Sequence, residues 1–288
     1  MPKISIMTMV FGGYLAEGRV SDIEMLDALE TMGFDGVEIP AGRILAQPAL
    51  LRTYRSRMAG SRLYVSAIDA GCNLIGSDQA ARDAGIEALS AAIDIAQALD
   101  CSLVLAAGSR LSAGIAPGDG RRMIADGLRA CLPAAHAAGA TLAIENFGVA
   151  PTLQCAGAHC LEVLDAVSEL AFVFDTGNFY FCGEDPLANI ELLAHRTRHM
   201  HIKDWVKSER PEIADVAGAS LGTGFIPNQE VVRRFLALGT VDSFSIELGA
   251  PGDKFEAARH DLDTVRQWIE SYNGKKTATE AVASGKAD

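Results

Sequence analysis

The sequence has few basic residues relative to its acidic ones. Its 288 residues include 25 Lys and Arg against 37 Asp and Glu, which gives a formal net charge of −12. The basic doublets Arg121-Arg122, Arg233-Arg234 and Lys275-Lys276 are far apart, so no basic groove for a phosphate backbone is expected. We therefore do not expect nucleic acid as a partner.

The sequence also lacks a membrane or export signal. No apolar run approaches the length of about 20 residues that a membrane-spanning helix needs. Residues 1–10 carry one Lys and run into Gly12-Gly13 without a small-residue cleavage site. These absences favour a cytoplasmic protein that has no membrane partner.

Two common cysteine and glycine motifs are missing. The six cysteines include no CxxC pair, which is typical of small core residues in a reducing compartment. Cys155 and Cys160 are the one close pair, and a disulfide or metal role is the less favoured alternative because their spacing fits no ligand motif. Residues 10–13 (VFGG) are not GxGxxG, so no dinucleotide-binding domain is expected.

What the chain does contain is a regular alternation of strand and helix patterns, typical of a parallel sheet with crossover helices. The predicted strands are Ile4–Val10, Gly36–Ile39, Leu63–Ile68, Ser102–Ala106, Thr141–Ile144, Ala171–Phe174, His199–Ile202 and Phe244–Ile246. The predicted helices are Ser21–Met32, Pro48–Gly60, Gln79–Leu99, Gly120–Ala138, Gly157–Val167, Pro186–Ala194, Pro227–Leu238 and Lys254–Ser271.

Eight such pairs predict an α/β fold, a single-domain (β/α)8 TIM barrel over residues 1–273, with a disordered tail over 274–288. A doubly wound open sheet is the alternative, because the pattern alone does not show closure. Ser21 with Glu24 predicts a capping box, and Gly33 is expected to end the helix in a left-handed conformation. Pro133 predicts a kink or a late start in the fourth helix.

Polar residues follow four consecutive strands at their carboxyl ends, where a barrel carries its chemistry. They are Glu145, Asp175, a histidine of the seventh strand and Glu247. His199 and His201 lie on the same strand face, so either could be the ligand. We favour His201, which is nearer the strand end, and expect His199 one layer lower as a buried hydrogen-bonding residue.

Three carboxylates that converge on a small space raise one another's pKa unless a cation neutralises them. The sequence therefore predicts one divalent ion at this rim, with Mn²⁺ favoured and Mg²⁺, Co²⁺ or a catalytic Zn²⁺ as alternatives. The simpler interpretation of each acidic residue alone is a helix cap or a solvated loop residue. Four on successive strands make that interpretation of the whole set improbable.

Several of these segments resemble a known family. The motifs are GFDGVEI (33–39), AIEN (143–146), FDTGN (174–178), HMHIKD (199–204), LGTG (221–224) and SIE (245–247). Their order and spacing are similar to the sugar phosphate isomerase/epimerase group of xylose isomerase-like TIM barrels, from the second strand to the eighth. Relatives include ketose 3-epimerases, inosose isomerases and dehydratases, hydroxypyruvate isomerases and zinc-dependent apurinic-site endonucleases.

The resemblance implies that Glu145, Asp175, His201 and Glu247 hold one divalent ion. It also implies that the two glutamates form the catalytic acid/base pair, as in the ketose 3-epimerases. Asn178 occupies the place where those epimerases carry a substrate-binding His, and Phe147 follows Asn146 where many relatives have a His. Both departures indicate an altered sugar specificity.

Three further side chains are candidates for substrate contact, each with a simpler alternative. Lys203 lies on the strand face of His201, in reach of a substrate oxygen, or is a surface cation paired with Asp204. Glu38 hydrogen-bonds a distal hydroxyl or is a rim residue held by a neighbour. Trp205 presents its ring to one face of a sugar, or it only packs against neighbouring side chains.

The loop 221–227, with glycines at 222 and 224, is a weak candidate for binding a phosphate through backbone N–H groups.

The predicted function is that of a metal-dependent sugar isomerase or epimerase. It would act by proton abstraction next to a carbonyl, through an enediolate, on a ketose, a keto-glycoside or an inosose. A lyase or dehydratase that expels a β-oxygen is the first alternative, and a non-catalytic sugar-binding barrel is the second. The partner is then a small carbohydrate, and the family resemblance implies a homodimer or homotetramer.

Overall fold

A closed barrel of parallel strands forms the centre of the molecule. The computed structural model describes residues 2–148, 153–247 and 249–283, with side chains up to residue 274. The barrel strands are β1 (Lys3–Met7), β2 (Gly36–Pro40), β3 (Tyr64–Ala70), β4 (Leu103–Ala106), β5 (Thr141–Glu145), β6 (Ala171–Asp175), β7 (Thr197–Ile202) and β10 (Ser243–Ile246). Each pairs in parallel with its neighbours in chain order, and β10 closes on β1. The predicted (β/α)8 barrel is confirmed.

Helices cover the outside of the barrel. They are α1 (Gly12–Ala16), α2 (Asp22–Met32), α3 (Ala41–Ala46), α4 (Ala49–Met58), α5 (Gln79–Ala98), α6 (Pro117–Ala137), α7 (Gly157–Ala166), α8 (Pro186–Leu193), α9 (Asn228–Leu238) and α10 (Lys254–Ala283). The capping box of α2 is present, because the Ser21 hydroxyl accepts from the Glu24 N–H and the Glu24 carboxylate accepts from the Ser21 N–H. Gly33 ends the helix with φ of 93°.

A short antiparallel hairpin interrupts the strand and helix alternation after β7. Its strands are β8 (Asp204–Lys207) and β9 (Val216–Ala219), which form a separate two-stranded sheet. The hairpin follows the carboxyl end of β7, so it stands at the rim where the polar strand ends meet.

Some boundaries differ from the prediction. β1 ends at Met7 rather than Val10, because residues 8–11 turn into a 3-10 helix and the Thr8 hydroxyl donates to the Glu38 carbonyl at 2.8 Å. α6 starts at Pro117, whose fixed φ suits a first turn, and it runs through Pro133.

The last helix also extends further than predicted. α10 continues past Ser271 to Ala283, and its last turns contain Ala, Lys and Glu, strong helix formers that outweigh the single Gly274. Residues 284–288 of the predicted tail lie outside the described residues. The division into a barrel and a disordered tail therefore stays a prediction.

The side chains that pack outside the barrel strands differ from those that pack inside the barrel. The outer core, between strands and helices, contains large apolar side chains, and the Phe174 ring lies 5.1 Å from that of Phe179 and 5.0 Å from that of Phe235. Inside the barrel a small apolar cluster comes from β3 to β6. The rest of the interior is polar, with Glu38 and His199 fully buried. Buried polar groups require partners, and these partners define the site.

Five of the six cysteines are buried core residues, and Cys182 is partly exposed. All six are free thiols. The Cys155 thiol donates to the Asn178 carbonyl at 2.9 Å, and that of Cys160 donates to the Gln154 carbonyl at 3.1 Å. This is the predicted role, and the alternative of a Cys155–Cys160 disulfide is wrong.

In the part of the chain that the structure describes, no helix is both long enough and apolar enough to cross a bilayer.

Candidate metal and catalytic centre

Strand β7 supplies a column of three polar side chains. His199, His201 and Lys203 follow one another at every second residue, so strand alternation places them in successive layers from the barrel interior to its carboxyl rim. Their exposed fractions are 0%, 1% and 6%. The predicted position of His199, one layer below His201, is confirmed.

His201 meets two carboxylates at the ends of β5 and β6. Its Nδ1 lies 3.4 Å from Glu145 Oε2 and 3.9 Å from Asp175 Oδ2. Ligand atoms of these three residues all lie within 4.8 Å of one another, as a metal site requires. The structure therefore brings together three of the four predicted metal ligands.

Two buried atoms in this cluster make no hydrogen bond. They are His201 Nδ1 and Asp175 Oδ2, although the latter lies in ion-pair range of Lys203. Unpaired buried polar atoms are costly, and a lone pair on nitrogen beside carboxylate oxygens is a donor set for a divalent cation. The residues present thus fit such an ion.

The backbone around Asp175 fixes its orientation. Its Oδ1 accepts from the N–H groups of Gly177 and Asn178 at 2.9 and 2.8 Å. The Asn146 side chain accepts from the Asp175 N–H at 2.9 Å and donates to its carbonyl at 2.8 Å. Oδ2 is consequently directed toward His201 and Lys203. Burial raises the pKa of Asp175 to about 6, and a cation would reverse that effect.

Glu38 lies under the cluster, not at the rim. It is fully buried, and its two oxygens each lie 2.9 Å from an imidazole Nε2, one of His199 and one of His201. The predicted contact between Glu38 and a substrate hydroxyl is therefore wrong, because the carboxylate has no exposed surface and both oxygens are occupied.

The electrostatics of this pair favour an ionised carboxylate. Burial alone would raise the pKa of Glu38, but the His201 and His199 rings hold it well below its usual value. Burial alone would lower the pKa of His201, but the charge of Glu38 raises this pKa well above its usual range. An ionised Glu38 accepts from both Nε2–H groups, so a cation that displaced the Nδ1 proton of His201 would find the lone pair of that nitrogen directed at it.

Asp69, on β3, belongs to the same buried network and was missed in the sequence. Neither of its carboxyl oxygens makes a hydrogen bond, and burial together with the charge of Glu38 raises its pKa well above the usual value. The surroundings of Asp69 therefore favour its protonated form over its carboxylate. The available signal was a single charged residue in the otherwise uncharged strand YVSAIDA.

Lys203 joins the cluster to the eighth barrel strand. Its Nζ lies 2.8 Å from Asp175 Oδ2 and 2.7 Å from Glu247 Oε2, and it donates to Asn178 Oδ1 at 3.2 Å. Burial alone would lower the pKa of Lys203, but the two carboxylates raise it. Lys203 therefore stays charged. Glu247 is thus held at the site by Lys203, and its side chain is 25% exposed.

The alternative for Lys203, a surface cation paired with Asp204, is wrong. Asp204 is itself buried, and its carboxylate accepts from the N–H groups of Gly222, Gly224 and Ile226 at 3.0, 3.0 and 3.1 Å. These are the N–H groups of the loop considered for phosphate. Because an internal carboxylate occupies them, that loop is not available to a phosphate group.

Trp205 stands at the mouth of the site. Its Nε1 donates to the Gly177 carbonyl at 3.0 Å, and its ring centre lies 5.8 Å from Lys203 Nζ. Gly177 has no room for a side chain, because a Cβ there would lie 2.5 Å from Lys203 Cγ and 2.7 Å from Trp205 Nε1. The glycine therefore permits the close approach of Lys203 and Trp205.

The arrangement is that of a (β/α)8 barrel with a candidate metal centre at the carboxyl ends of its strands. A family model described as xylose isomerase-like TIM barrel matches residues 26–271. The chain belongs to this family. Among curated proteins, none matches the sequence.

Solved structures share the fold at low sequence identity. The IolI protein, solved with a binding zinc atom, is 17% identical with a TM-score of 0.79, over 94% of this chain and 99% of that one. L-ribulose 3-epimerase is 21% identical with a TM-score of 0.74, over 97% and 98%. The 3-keto-D-glucoside 4-epimerase YcjR from E. coli is 14% identical with a TM-score of 0.72, over 93% and 100%. At these identities the likeness concerns the fold.

Proposed function

We propose that the protein is a divalent-metal-dependent sugar isomerase or epimerase that moves a proton next to a carbonyl group. The observation that carries this proposal is the buried Nδ1 of His201, which makes no hydrogen bond and lies among the carboxylates of Glu145 and Asp175 at the rim of a family barrel. Two of the similar structures, named as epimerases, support the reaction class.

Glu145, Asp175 and His201 would hold the ion, with Glu247 as the fourth ligand. This oxygen-rich set with one imidazole suits Mn²⁺, Mg²⁺ or Co²⁺, and Zn²⁺ is the alternative that the IolI structure supports. A bound ion would polarise the substrate carbonyl and stabilise the negative charge that follows proton loss.

In this proposal the two glutamates act on opposite sides of a substrate. β6 and β7 separate β5 from β10 around the barrel, so Glu145 and Glu247 enter the site from different directions. One glutamate, as the carboxylate, removes the proton, and the other, as the protonated acid, donates its own proton to the opposite face in an epimerisation or to the neighbouring carbon in an isomerisation.

Lys203 and Asn178 bind the substrate in this proposal. The raised pKa of Lys203 makes it a fixed positive charge and not a base. Its ammonium group would exchange its contact with Glu247 for a substrate oxygen, while Asn178 Oδ1 holds it in place. The substrate is a ketose, a keto-glycoside or an inosose, each of which has a carbonyl beside a C–H bond.

The test combines metal analysis with hydrogen exchange. We expect the metal-loaded protein to introduce deuterium from D₂O next to the carbonyl of one of these keto-sugars. Glu145→Gln and Glu247→Gln should each slow this exchange by about 100-fold or more. Glu87→Gln, exposed on α5, is the matched control and should not change it. Exchange at the original rate in both variants would refute the acid/base assignment.

A lyase is the second candidate, because the Lys203 charge beside Glu247 could also stabilise the oxygen of a departing group. Product analysis in the same experiment separates the two. Loss of water or of an aglycone identifies the lyase, and retention of every oxygen with deuterium at carbon identifies the isomerase or epimerase.

A further inference from the structure

A row of aromatic side chains leads away from the candidate metal centre. Tyr180 and Phe181 lie in the 3-10 helix Asn178–Cys182, Trp205 lies in β8, and Phe225 follows the hairpin. Phe181 contacts Trp205 edge to face with ring centres 5.8 Å apart. The Tyr180 ring lies 5.7 Å from Phe181 and 5.3 Å from Phe225. We call these four residues the aromatic wall.

Three rings of the wall, those of Tyr180, Phe181 and Trp205, line an open cavity of about 680 Å³ together with Gly183 and residues 214–216. Phe181 is 42% exposed and Phe225 is 44% exposed, and the Tyr180 ring contacts both of them. Contiguous exposed apolar surface of this kind marks a binding site more often than a solvated surface.

The wall is continuous with the site where the reaction would occur. Trp205 lies beside Lys203, with 5.8 Å between its ring and Nζ. Phe181 covers Gly148 and reaches Asn178, because a Cβ at Gly148 would lie 2.5 Å from Phe181 Cδ2 and 3.0 Å from Asn178 Oδ1. A molecule held by Lys203 and Asn178 that extends outward would therefore meet the faces and edges of these rings.

Polar contacts on one side of the wall hold the Tyr180 ring. The Tyr180 hydroxyl bonds to Asp215, and Lys207 donates to both of these groups. Lys207 Nζ also lies 4.9 Å from the Tyr180 ring and 5.8 Å from the Phe225 ring. Rings held in this way lose little conformational entropy when a ligand covers them.

We propose that the aromatic wall is a subsite for an aromatic substituent of the substrate, such as the aglycone of a keto-glycoside. The sugar part of this inference rests on the proposed function, and the aromatic part rests on the wall. A flat aromatic group can stack on an exposed ring or contact it edge to face. A methyl group at the same position covers little of the ring surface.

Matched pairs of non-reacting probes test the proposal. Phenyl and methyl β-D-glucosides, galactosides and xylosides differ only in the aglycone within each pair. Trp268→Phe leaves Trp205 as the single tryptophan, so its fluorescence reports binding near the wall. We expect at least one phenyl glycoside to bind about tenfold more tightly than its methyl partner and to change the Trp205 emission.

Phe181→Ala should reduce that preference to about twofold or less while the affinity for the methyl glycoside is unchanged. Leu238→Ala is the control, because Leu238 is 52% exposed at the end of α9, which leads to the other end of the barrel. Equal binding of all pairs, no binding of any phenyl glycoside, or a preference that survives Phe181→Ala would overturn the proposal.

A second copy of the chain is the competing occupant of the wall. If the protein is a dimer that Phe181→Ala dissociates, as measured by light scattering, the wall is a subunit interface and the proposal is overturned. The probes need no turnover. A phenyl preference without any deuterium exchange would therefore refute the proposed function and leave the subsite intact. Deuterium exchange without a phenyl preference would refute the subsite and leave the proposed function intact.

Discussion

The carboxylate of Glu38 supports His201 from beneath, 2.9 Å from its Nε2, while Nδ1 of the same ring faces Glu145 at 3.4 Å. One imidazole thus connects a fully buried acid with the rim of the barrel. A histidine that donates one N–H to a carboxylate is fixed in ring orientation and tautomer, and its other nitrogen becomes a better metal ligand.

We predict from this contact that Glu38→Gln weakens metal binding by about 10- to 100-fold. The amide keeps the size of the side chain but removes the charge that sets the tautomer of His201. Competition with a fluorescent chelator measures the affinity without any substrate. The control is Glu87→Gln, and circular dichroism verifies folding. Unchanged affinity in a folded Glu38→Gln variant would show that Glu38 has no role in positioning the ligand.

Lys203→Met should have opposite effects on the metal-free and metal-loaded protein. Lys203 neutralises Asp175 and Glu247 at 2.8 and 2.7 Å, so its removal leaves two buried or half-buried carboxylates uncompensated. We expect a Tm several degrees lower in EDTA, tighter binding of Mn²⁺ than in the wild type, and recovery of Tm when Mn²⁺ is added. Lys3→Met, at the other end of the barrel, is the control. Weaker Mn²⁺ binding by the variant would contradict this account.

Asp204→Asn should loosen the loop that follows the hairpin. The Asp204 carboxylate accepts from three loop N–H groups, and an amide offers one acceptor oxygen in place of two. We expect the free energy of unfolding to fall by about 2 kcal/mol, as determined by urea titration. The same account implies that inorganic phosphate does not bind the wild type in calorimetry, and phosphate binding that the variant alters would show it to be wrong.

The pH dependence of stability should reveal the buried contact of Asp22. Its carboxylate accepts from Arg43 at 2.7 Å and from the Tyr54 hydroxyl at 2.8 Å. Burial raises the pKa of Asp22, but these contacts lower it overall below its usual 3.8. A group with a lowered pKa stabilises the fold above its unfolded pKa and loses that contribution as the pH falls through the folded pKa.

Asp22→Asn should therefore destabilise the protein by about 2 kcal/mol at pH 7. The difference from the wild type should stay constant down to about pH 4.5 and shrink below about pH 4. Urea titrations at several pH values measure it, with Asp94→Asn, exposed on α5, as the control. If the difference in the free energy of unfolding grew as the pH fell, the pKa of Asp22 would be raised in the folded protein, which would contradict this account.

The positions of Glu145, Asp175 and His201 could be predicted from the sequence because one physical rule is enough to place all three. Parallel barrel strands end on the same rim, so residues at three successive strand ends meet once the barrel closes. The order of the strands and the layer of His199 follow from the same alternation and could be predicted without coordinates.

The orientation of Glu38 could not be predicted in this way. Strands of a parallel barrel are buried on both faces, so the apolar pattern of β2 does not show which face is inside. The register also shifts between Val37 and Glu38, which alternation alone does not reveal. The role of Asp204 is similarly hidden, because its partners Gly222 and Ile226 lie 18 and 22 residues away in the chain.

Gly148 allows the Phe181 ring to lie close to Asn178 in the candidate site. Phe181 lies against its bare backbone at a distance where any side chain would collide with the ring. A single methyl group at this position would displace Phe181 and so change the shape of the surface that a bound molecule meets. Within this barrel, the range of accepted compounds can thus change through one small residue while the ion-binding cluster stays as it is.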